Sequence, residues 1–146
     1  MLIPSLHNPA KDEDMADCVK LRPGGTYSGK QGFDYFEGIA KETVGSQGVC
    51  MHLLHVPPGG RAKAHKHETH ETAIYVLSGS AKMYWGEQLE HVMETNAGDM
   101  IYIPADTPHL PFNDGDEPAV AVIARTDPNE QESVVLLPEL EALVPG

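Results

Sequence analysis

Short apolar stretches alternate with turn residues along the chain from about residue 48 onward. Five of these stretches predict β-strands, because β-branched and aromatic residues pack well on a pleated sheet: GVCMHLLHV, TAIYVLSGSAKMYW, DMIYIP, AVAVIAR and SVVLL. The segments between them supply Gly, Pro, Asn and Asp for turns: PPGG, SG, AGD, PADTP and NDGDEP. Many short strands at regular spacing favour an all-β sandwich or barrel.

The two ends of the chain follow a different pattern. Residues 1–35 contain the acidic stretch KDEDMAD and the glycine-rich stretch RPGGTYSGKQG, which predict an irregular N-terminal arm or outlying strands. Such an arm could cover a sheet edge, either its own or that of a partner. We expect the barrel over residues 36–137 and a tail over 138–146, with a short helical turn in LPELEAL. A chain of 146 residues is the size of one domain, so 1–146 is interpreted as a single domain.

The charge and the cysteines narrow the possible functions. A formal net charge of −12 argues against binding to nucleic acid or to an anionic membrane, because both need a basic surface. A small-molecule ligand fits better. Cys18 and Cys50 lack the paired spacing of a zinc or redox motif and are expected to be reduced, buried thiols. The N-terminus has no signal-peptide pattern and no apolar run could span a bilayer, so we expect a cytoplasmic protein.

The stretch HKHETHE, residues 65–71, concentrates histidines just before an apolar strand. In an extended strand His65 and His67 project to the same side, about 7 Å apart along the backbone. Two imidazoles from one strand supply half of a site for a first-row transition metal. His109 follows the strand MIYIP and a turn, and a barrel would bring it to the same point. We therefore predict one divalent transition metal, such as Zn, Fe, Mn or Ni.

The spacing of these residues resembles the two motifs of the cupin family, G-x5-H-x-H-x3,4-E-x6-G and G-x5-P-x-G-x2-H-x3-N. Nine positions of this chain correspond to them: Gly59, His65, His67, Glu71, Gly79, Gly98, Pro104, His109 and Asn113. The resemblance implies a jelly-roll barrel, also called a double-stranded β-helix, with a metal inside. It implies that two histidines of the first motif and one of the second hold the metal. In size and general pattern the chain is similar to the cupin-type aromatic polyketide cyclases.

The first departure from the motifs is Asp106, which stands where the second motif has glycine. Both residue types tolerate unusual turn conformations, so we expect the turn to be kept.

The second departure changes the expected ligand set. Seven residues rather than six separate Glu71 from Gly79, so counting back from Gly79 places Thr72 at the usual glutamate position. If the strand alternates without interruption, His70 faces inward and completes a four-histidine site. If a bulge absorbs the extra residue, Glu71 is the ligand instead. We favour His70, because regular alternation needs no added irregularity.

Three further residues are candidates for substrate binding. Arg61 and Lys63 share strand parity with His65 and His67, so a continuous strand would aim all four into one cavity. Cations beside a metal suit a substrate carboxylate or enolate. Because PPGGRAKA begins as a turn, the alternative is a positive fringe at the barrel mouth. Tyr102 is a candidate hydrogen-bond donor to substrate.

These features predict a metal-dependent enzyme that acts on a small organic carbonyl, enol or aromatic substrate. With Fe(II) the expected chemistry is dioxygenation; with Zn(II), Mn(II) or Ni(II) it is isomerisation, cyclisation or decarboxylation. A site of neutral histidines leaves the ion a stronger Lewis acid, which favours carbonyl or enol chemistry. The alternative is a non-catalytic ligand-binding or sensor domain, because fold does not fix function. Resemblance to single-domain cupins further implies a homodimer.

Overall fold

Antiparallel strands dominate the part of the chain that the computed structural model describes, which is residues 17–23, 26–28, 33–129 and 134–145. Eleven strands are found there: β1 Thr26–Ser28, β2 Asp34–Ile39, β3 Cys50–Val56, β4 His65–His67, β5 Thr72–Ser78, β6 Ser80–Trp85, β7 His91–Asn96, β8 Met100–Ile103, β9 His109–Phe112, β10 Ala119–Arg125 and β11 Val134–Leu136. The described helices are a single turn, α1 Lys41–Val44, and a 3-10 helix, Pro138–Leu143. All five predicted strand stretches and the expected C-terminal helical turn are confirmed.

The strands form two sheets that enclose the interior between them. One sheet has six strands in the order β1-β2-β3-β10-β5-β8, and the other has five in the order β11-β4-β9-β6-β7. Strands that are distant in sequence become neighbours in both sheets, as when β10 inserts between β3 and β5. This arrangement confirms the all-β jelly-roll barrel that the sequence predicted.

One strand of the predicted N-terminal arm, β1, forms the edge of the six-stranded sheet, and β2 crosses the predicted boundary at residue 35. β1 pairs with β2, and β2 pairs with β3, so this part of the arm extends the chain's own sheet. The remainder of the predicted arm, residues 1–16, 24–25 and 29–32, lies outside the described residues. The division of the chain near residues 35 and 137 stays a prediction.

Alternation along β3, β5 and β10 gives the six-stranded sheet one buried and one exposed face. On β3 the residues Cys50, His52, Leu54 and Val56 are buried, and their intervening neighbours are exposed or half-buried. Register places Ile123 of β10 opposite His52, so the buried positions of neighbouring strands form continuous rows across the sheet. These rows face the interior and create the main apolar core.

A second apolar cluster lies beneath the C-terminal 3-10 helix. It is formed by buried residues from four parts of the chain: Ala64, Leu89, Leu110, Leu140 and Val144. The helix therefore covers the end of the five-stranded sheet next to β4 and fixes the approach of the chain to the first histidine strand.

Both cysteines are free thiols, as the sequence predicted. Cys50 is buried in β3, whereas Cys18 is exposed, so the expectation of a buried thiol is wrong for Cys18. Burial raises the pKa of the Cys50 thiol above its ordinary value.

No helix in the described ranges is both long enough and apolar enough to cross a membrane.

Candidate metal centre

Three buried histidines converge inside the barrel. His65 and His67 lie on β4 and His109 begins β9, where it is the register partner of His65. One ring nitrogen of each lies within 4.8 Å of those of the other two, and all three residues are at most 3% exposed. Metal bonds of about 2.0–2.1 Å would draw these nitrogens closer together. The strand pairing thus produces the convergence that the sequence predicted.

Backbone carbonyls orient two of the three rings. Nδ1 of His65 lies 2.7 Å from the carbonyl oxygen of Lys63, and Nδ1 of His109 lies 2.9 Å from that of Thr107. A carbonyl only accepts hydrogen bonds, so both Nδ1 atoms carry the proton and both Nε2 atoms keep a free lone pair. Histidine ligands are commonly oriented in this way by a second hydrogen bond. The arrangement suits metal coordination.

The third ring carries a buried nitrogen with no partner. Nδ1 of His67 is shielded from solvent and makes no hydrogen bond with any described residue. A buried polar atom left in this state is destabilising unless a ligand engages it. The donor set therefore fits a transition metal.

The electrostatic environment keeps these imidazoles neutral, which is the form that binds metals. Burial lowers the pKa of His109 to about 4, and burial lowers the pKa of His65 and of His67 well below the ordinary value. The positive charge of Arg125 adds to the lowering for all three. Protons therefore compete poorly with a metal near neutral pH.

The turn at residues 104–107 connects the two halves of the site. Asp106 adopts a left-handed backbone conformation with φ of 64°, and its N–H donates to the carbonyl oxygen of His67 at 2.7 Å. Its carboxylate pairs with Lys66 Nζ at 2.8 Å. The interpretation of Asp106 as a residue that tolerates the conformation of the motif glycine is confirmed.

His70 and Glu71 point to opposite sides of the barrel wall. Residues 68–71 belong to neither strand and separate β4 from β5, so the extra residue lies between the strands rather than in a continuous strand or a bulge. His70 is 3% exposed and its ring centroid lies 4.6 Å from that of His67, but it is outside the group of three described above. Glu71 is exposed, and its Oε2 accepts a hydrogen bond from Tyr102. The fourth ligand stays a prediction.

Arg61 lies away from the histidines and binds the C-terminal segment. Its Nη1 donates to the carbonyl oxygens of Val144 at 3.0 Å and Pro145 at 3.3 Å, and its Nη2 donates to that of Glu141. The guanidinium also lies over the ring of Phe112, 6.0 Å from the centroid. Arg61 therefore anchors the chain end.

Lys63 and Tyr102 are also outside the cavity. The strand β4 begins only at His65, so the continuous strand that would carry Arg61 and Lys63 inward is not formed. The buried residues before it are Ala62 and Ala64, and Lys63 between them is exposed. Tyr102 is 59% exposed on the outer side of β8.

A cavity of about 80 Å³ adjoins the three histidines between the two sheets. Most of its wall is apolar and comes from both sheets, with residues such as Phe33, Val76, Met83, Ile103 and Ile123. The apolar wall makes the surroundings of the histidine cluster weakly polar, which strengthens any electrostatic contact made there.

Sequence reasoning missed Arg125, which lines this cavity. Arg125 ends β10 and is 4% exposed, with Cys50 and Thr72 as its register partners on the two neighbouring strands. Side chains two residues apart on a strand lie on the same face, so the position of Arg125 two residues after the buried Ile123 could have predicted its burial. A single charged residue at the end of an apolar run instead resembles the point where a strand leaves the sheet.

The comparisons with known proteins agree with this arrangement. The Cupin domain family matches residues 52–124, which is half of the chain. An uncharacterized protein of Methanocaldococcus jannaschii is 34% identical over 82 residues, which make up 56% of this chain and 63% of that protein. The match thus spans less than two thirds of that relative.

Two solved structures show the same fold at low sequence identity. The polyketide cyclase RemF from Streptomyces resistomycificus has a TM-score of 0.69 and 20% identity, covering 88% of this chain and 95% of RemF. The oxalate decarboxylase of Lactobacillus farciminis, solved as a formate complex, has a TM-score of 0.65 and 22% identity, covering 83% of this chain and 36% of the decarboxylase. Since the matched family segment contains every histidine of the cluster within a jelly-roll barrel, the chain belongs to the cupin family.

Proposed function

We propose that this protein is an enzyme that acts on a small organic carbonyl, enol or aromatic substrate with the help of one divalent transition metal. His65, His67 and His109 would hold the metal inside the barrel. The observation that carries this proposal is the convergence of three buried, neutral imidazoles at the edge of a mainly apolar cavity. A purely structural histidine cluster would not need a ring nitrogen of each residue to lie within 4.8 Å of those of the other two while His65 and His109 keep free Nε2 lone pairs.

His70 is proposed as the fourth ligand. Its burial and its distance from His67 support this assignment, and the exposed position of Glu71 counts against the alternative. Nδ1 of His70 lies 3.5 Å from Asp127 Oδ2, which can orient the ring in the manner of a second ligand shell.

Such a metal, when bound, supplies Lewis acidity to a substrate oxygen. Four imidazoles bring no negative charge to the site, which favours isomerisation, cyclisation or decarboxylation over dioxygenation. The protein's own residues orient the imidazoles through backbone carbonyls and exclude water with an apolar wall. The similarity in fold to a polyketide cyclase and an oxalate decarboxylase supports an enzymatic role.

Elemental analysis of the protein purified without added metal tests the proposal. We expect close to one transition metal per chain in the wild type and loss of most of it in His67→Ala and His109→Ala. His91→Ala is the matched control, because His91 is exposed on the edge strand β7, and it should retain the metal. Equal metal content in His109→Ala and His91→Ala would contradict the proposal.

The type of reaction is tested separately. Protein loaded with Fe(II), Zn(II), Mn(II) or Ni(II) would be assayed with phenolic and diketone substrates for product formation and oxygen uptake. We expect turnover without oxygen consumption. Sustained substrate-dependent oxygen uptake would identify a dioxygenase, and tight binding with no turnover in any metal form would favour the sensor alternative.

We also propose that the protein forms a homodimer through the outer face of the six-stranded sheet. Exposed apolar and aromatic side chains lie next to one another there: Met51, Tyr75, Met100 and Tyr102. A patch of this kind commonly marks an interface, and a second copy of the chain can bury it by a two-fold axis. The cytoplasmic location expected from the sequence stays a prediction.

A further inference from the structure

We propose that Arg125, together with Thr72, forms an anion-binding site within the barrel, and that the ligand of the cavity is a small carboxylate or enolate with an apolar remainder. This inference deepens the proposed function, on which it rests for the identity of the ligand as substrate. The contact between the anion and Arg125 does not itself require the metal.

Arg125 presents unused hydrogen-bond donors to the interior. Its Nε and Nη1 are shielded from solvent and have no hydrogen-bond partner among the described residues. Among the described residues it interacts with the thiol of Cys50 and with the ring of Tyr35, whose centroid lies 5.8 Å from the guanidinium carbon. A guanidinium has five N–H donors in a planar fork that matches a carboxylate.

Thr72 adds a second donor on the same face of the sheet. Thr72 is the register partner of Arg125 in the β5/β10 pair, is 3% exposed and lines the same cavity. Its hydroxyl is buried and has no hydrogen-bond partner in the described part of the chain. Directly opposite side chains on paired strands are close enough to engage one ligand group together.

The described residues that line the cavity include positive side chains and no carboxylate. The described lining residues include Arg125 and Lys82 but no Asp or Glu. Lys82 is neutralised by Asp114, 2.8 Å away. Asp127 has its Oδ2 toward His70, and no ion pair within 4.0 Å joins it to Arg125. A buried charge is destabilising unless it is paired, so a ligand carboxylate beside Arg125 would be stabilised by the guanidinium.

The position of Thr72 in the motif explains why no carboxylate lies opposite Arg125. Counting back from Gly79, Thr72 occupies the place where the first cupin motif has its glutamate. Counted in this way, the chain has Thr72 at this position, with the neighbouring Glu71 exposed and the buried Arg125 directly opposite. The negative charge is thus left for the ligand to supply.

The size of the cavity limits the ligand. A volume of about 80 Å³ accommodates roughly five to eight water-sized groups. The wall away from Arg125 is apolar, so a short alkyl chain suits it better than a polyol. Propionate satisfies both conditions and serves as a probe, and propionamide is its neutral counterpart of the same shape.

Calorimetric titration of the full chain, before and after removal of metal with a chelator, tests the inference. Without metal, propionate should bind at least about 10-fold more tightly than propionamide, as expected for hydrogen bonds to a charged group. Arg125→Met should weaken propionate binding by about 10- to 100-fold, Thr72→Val should weaken it several-fold, and Arg125→Lys should retain part of the affinity. Arg61→Met is the matched control and should bind as the wild type does, because Arg61 is outside the cavity.

Thermal unfolding gives an independent readout that a structural role for Arg125 would not produce. Propionate should raise the melting temperature of the wild type and not that of Arg125→Met. Without ligand, Arg125→Met should be at least as stable as the wild type, because it removes an uncompensated buried charge.

Equal affinity of the metal-free wild type for propionate and propionamide would overturn the inference, whether or not Arg125→Met folds. Undiminished propionate binding by Arg125→Met would overturn it as well. Metal content is measured on the same samples, so a wild type that binds propionate but no metal would count against the proposed function alone.

Discussion

The Tyr102 hydroxyl donates a 2.6 Å hydrogen bond to Glu71 Oε2, and both side chains are exposed on the outside of the barrel. This bond holds the Glu71 carboxylate away from the histidine cluster and raises the pKa of Tyr102. The preceding residue, His70, is buried beside His67. The alternative fourth ligand and the predicted substrate donor are therefore hydrogen-bonded to each other on the outer side of the barrel.

Replacing His70 or Glu71 with alanine should have opposite outcomes. His70→Ala should lower zinc affinity by at least about 10-fold, since even residues that only support metal ligands contribute that much. Glu71→Ala should leave the affinity unchanged, because its carboxylate is engaged outside the barrel. Competition with a chromophoric chelator measures both. A large loss in Glu71→Ala with none in His70→Ala would show that Glu71 is the ligand.

The metal-free protein should lose stability as the pH falls below about 6.5. Burial lowers the pKa of His52 and of His109 to about 4, from an ordinary value of 6.5. Between these values the unfolded chain binds protons that the folded chain does not, so acid favours unfolding. The stabilisation is fully present above 6.5 and declines as the pH falls toward 4. Urea denaturation at pH 7.5, 6 and 5 measures it, and His52→Gln should show a shallower decline. Constant stability across this range would contradict the assignment.

The asparagine of the second motif should stabilise the fold without affecting the metal. Asn113 is fully buried; its Nδ2 donates to the carbonyl oxygens of Val56 and Glu117, and its Oδ1 accepts from Gly115 N–H. Asn113→Ala should lower the free energy of unfolding by about 2–4 kcal/mol, because three hydrogen bonds are lost and buried groups stay unpaired. Asn96→Ala, at an exposed position, should cost less than about 1 kcal/mol. Chemical denaturation distinguishes the two, and zinc titration should give wild-type affinity in both.

A charged residue in the outer face of the six-stranded sheet should prevent dimer formation. Met100 is 83% exposed, and we expect Met100→Glu to be monomeric at micromolar concentration while the wild type is dimeric. Val92→Glu, on an exposed position of the other sheet, is the control and should stay dimeric. Light scattering with size exclusion measures the mass. A monomeric wild type would refute the homodimer.

The strands with strong apolar patterns were predictable, and the polar ones were not. β7, with the sequence HVMETN, lies at the edge of its sheet. Only Thr95 in it is buried, so its sequence does not need the alternating apolar pattern that predicts a strand. β9 contains Pro111, a residue that disfavours strands, but its neighbours β4 and β6 hold it in place. In both cases tertiary pairing overrides local preference.

The histidine cluster was predictable because its residues follow a local rule. His65 and His67 share a face by alternation, and the turn before His109 places it at the start of a paired strand. The cations followed no such rule. Arg61 was predicted to face the interior because it is an even number of residues before His65. That rule holds only within one strand, and β4 begins four residues after Arg61. Arg125 takes the interior position because β10 keeps its alternation to its last residue.

The buried guanidinium of Arg125 lies inside a molecule whose overall charge is −12. An arriving anion is therefore repelled at long range and attracted only after it has left bulk solvent. Added salt screens the repulsion between the anion and the protein's net charge, with a Debye length of about 10 Å at 0.1 M. It screens the buried contact between the anion and Arg125 much less. Association should consequently speed up as ionic strength rises, the reverse of electrostatic steering, while the rate of release stays nearly constant.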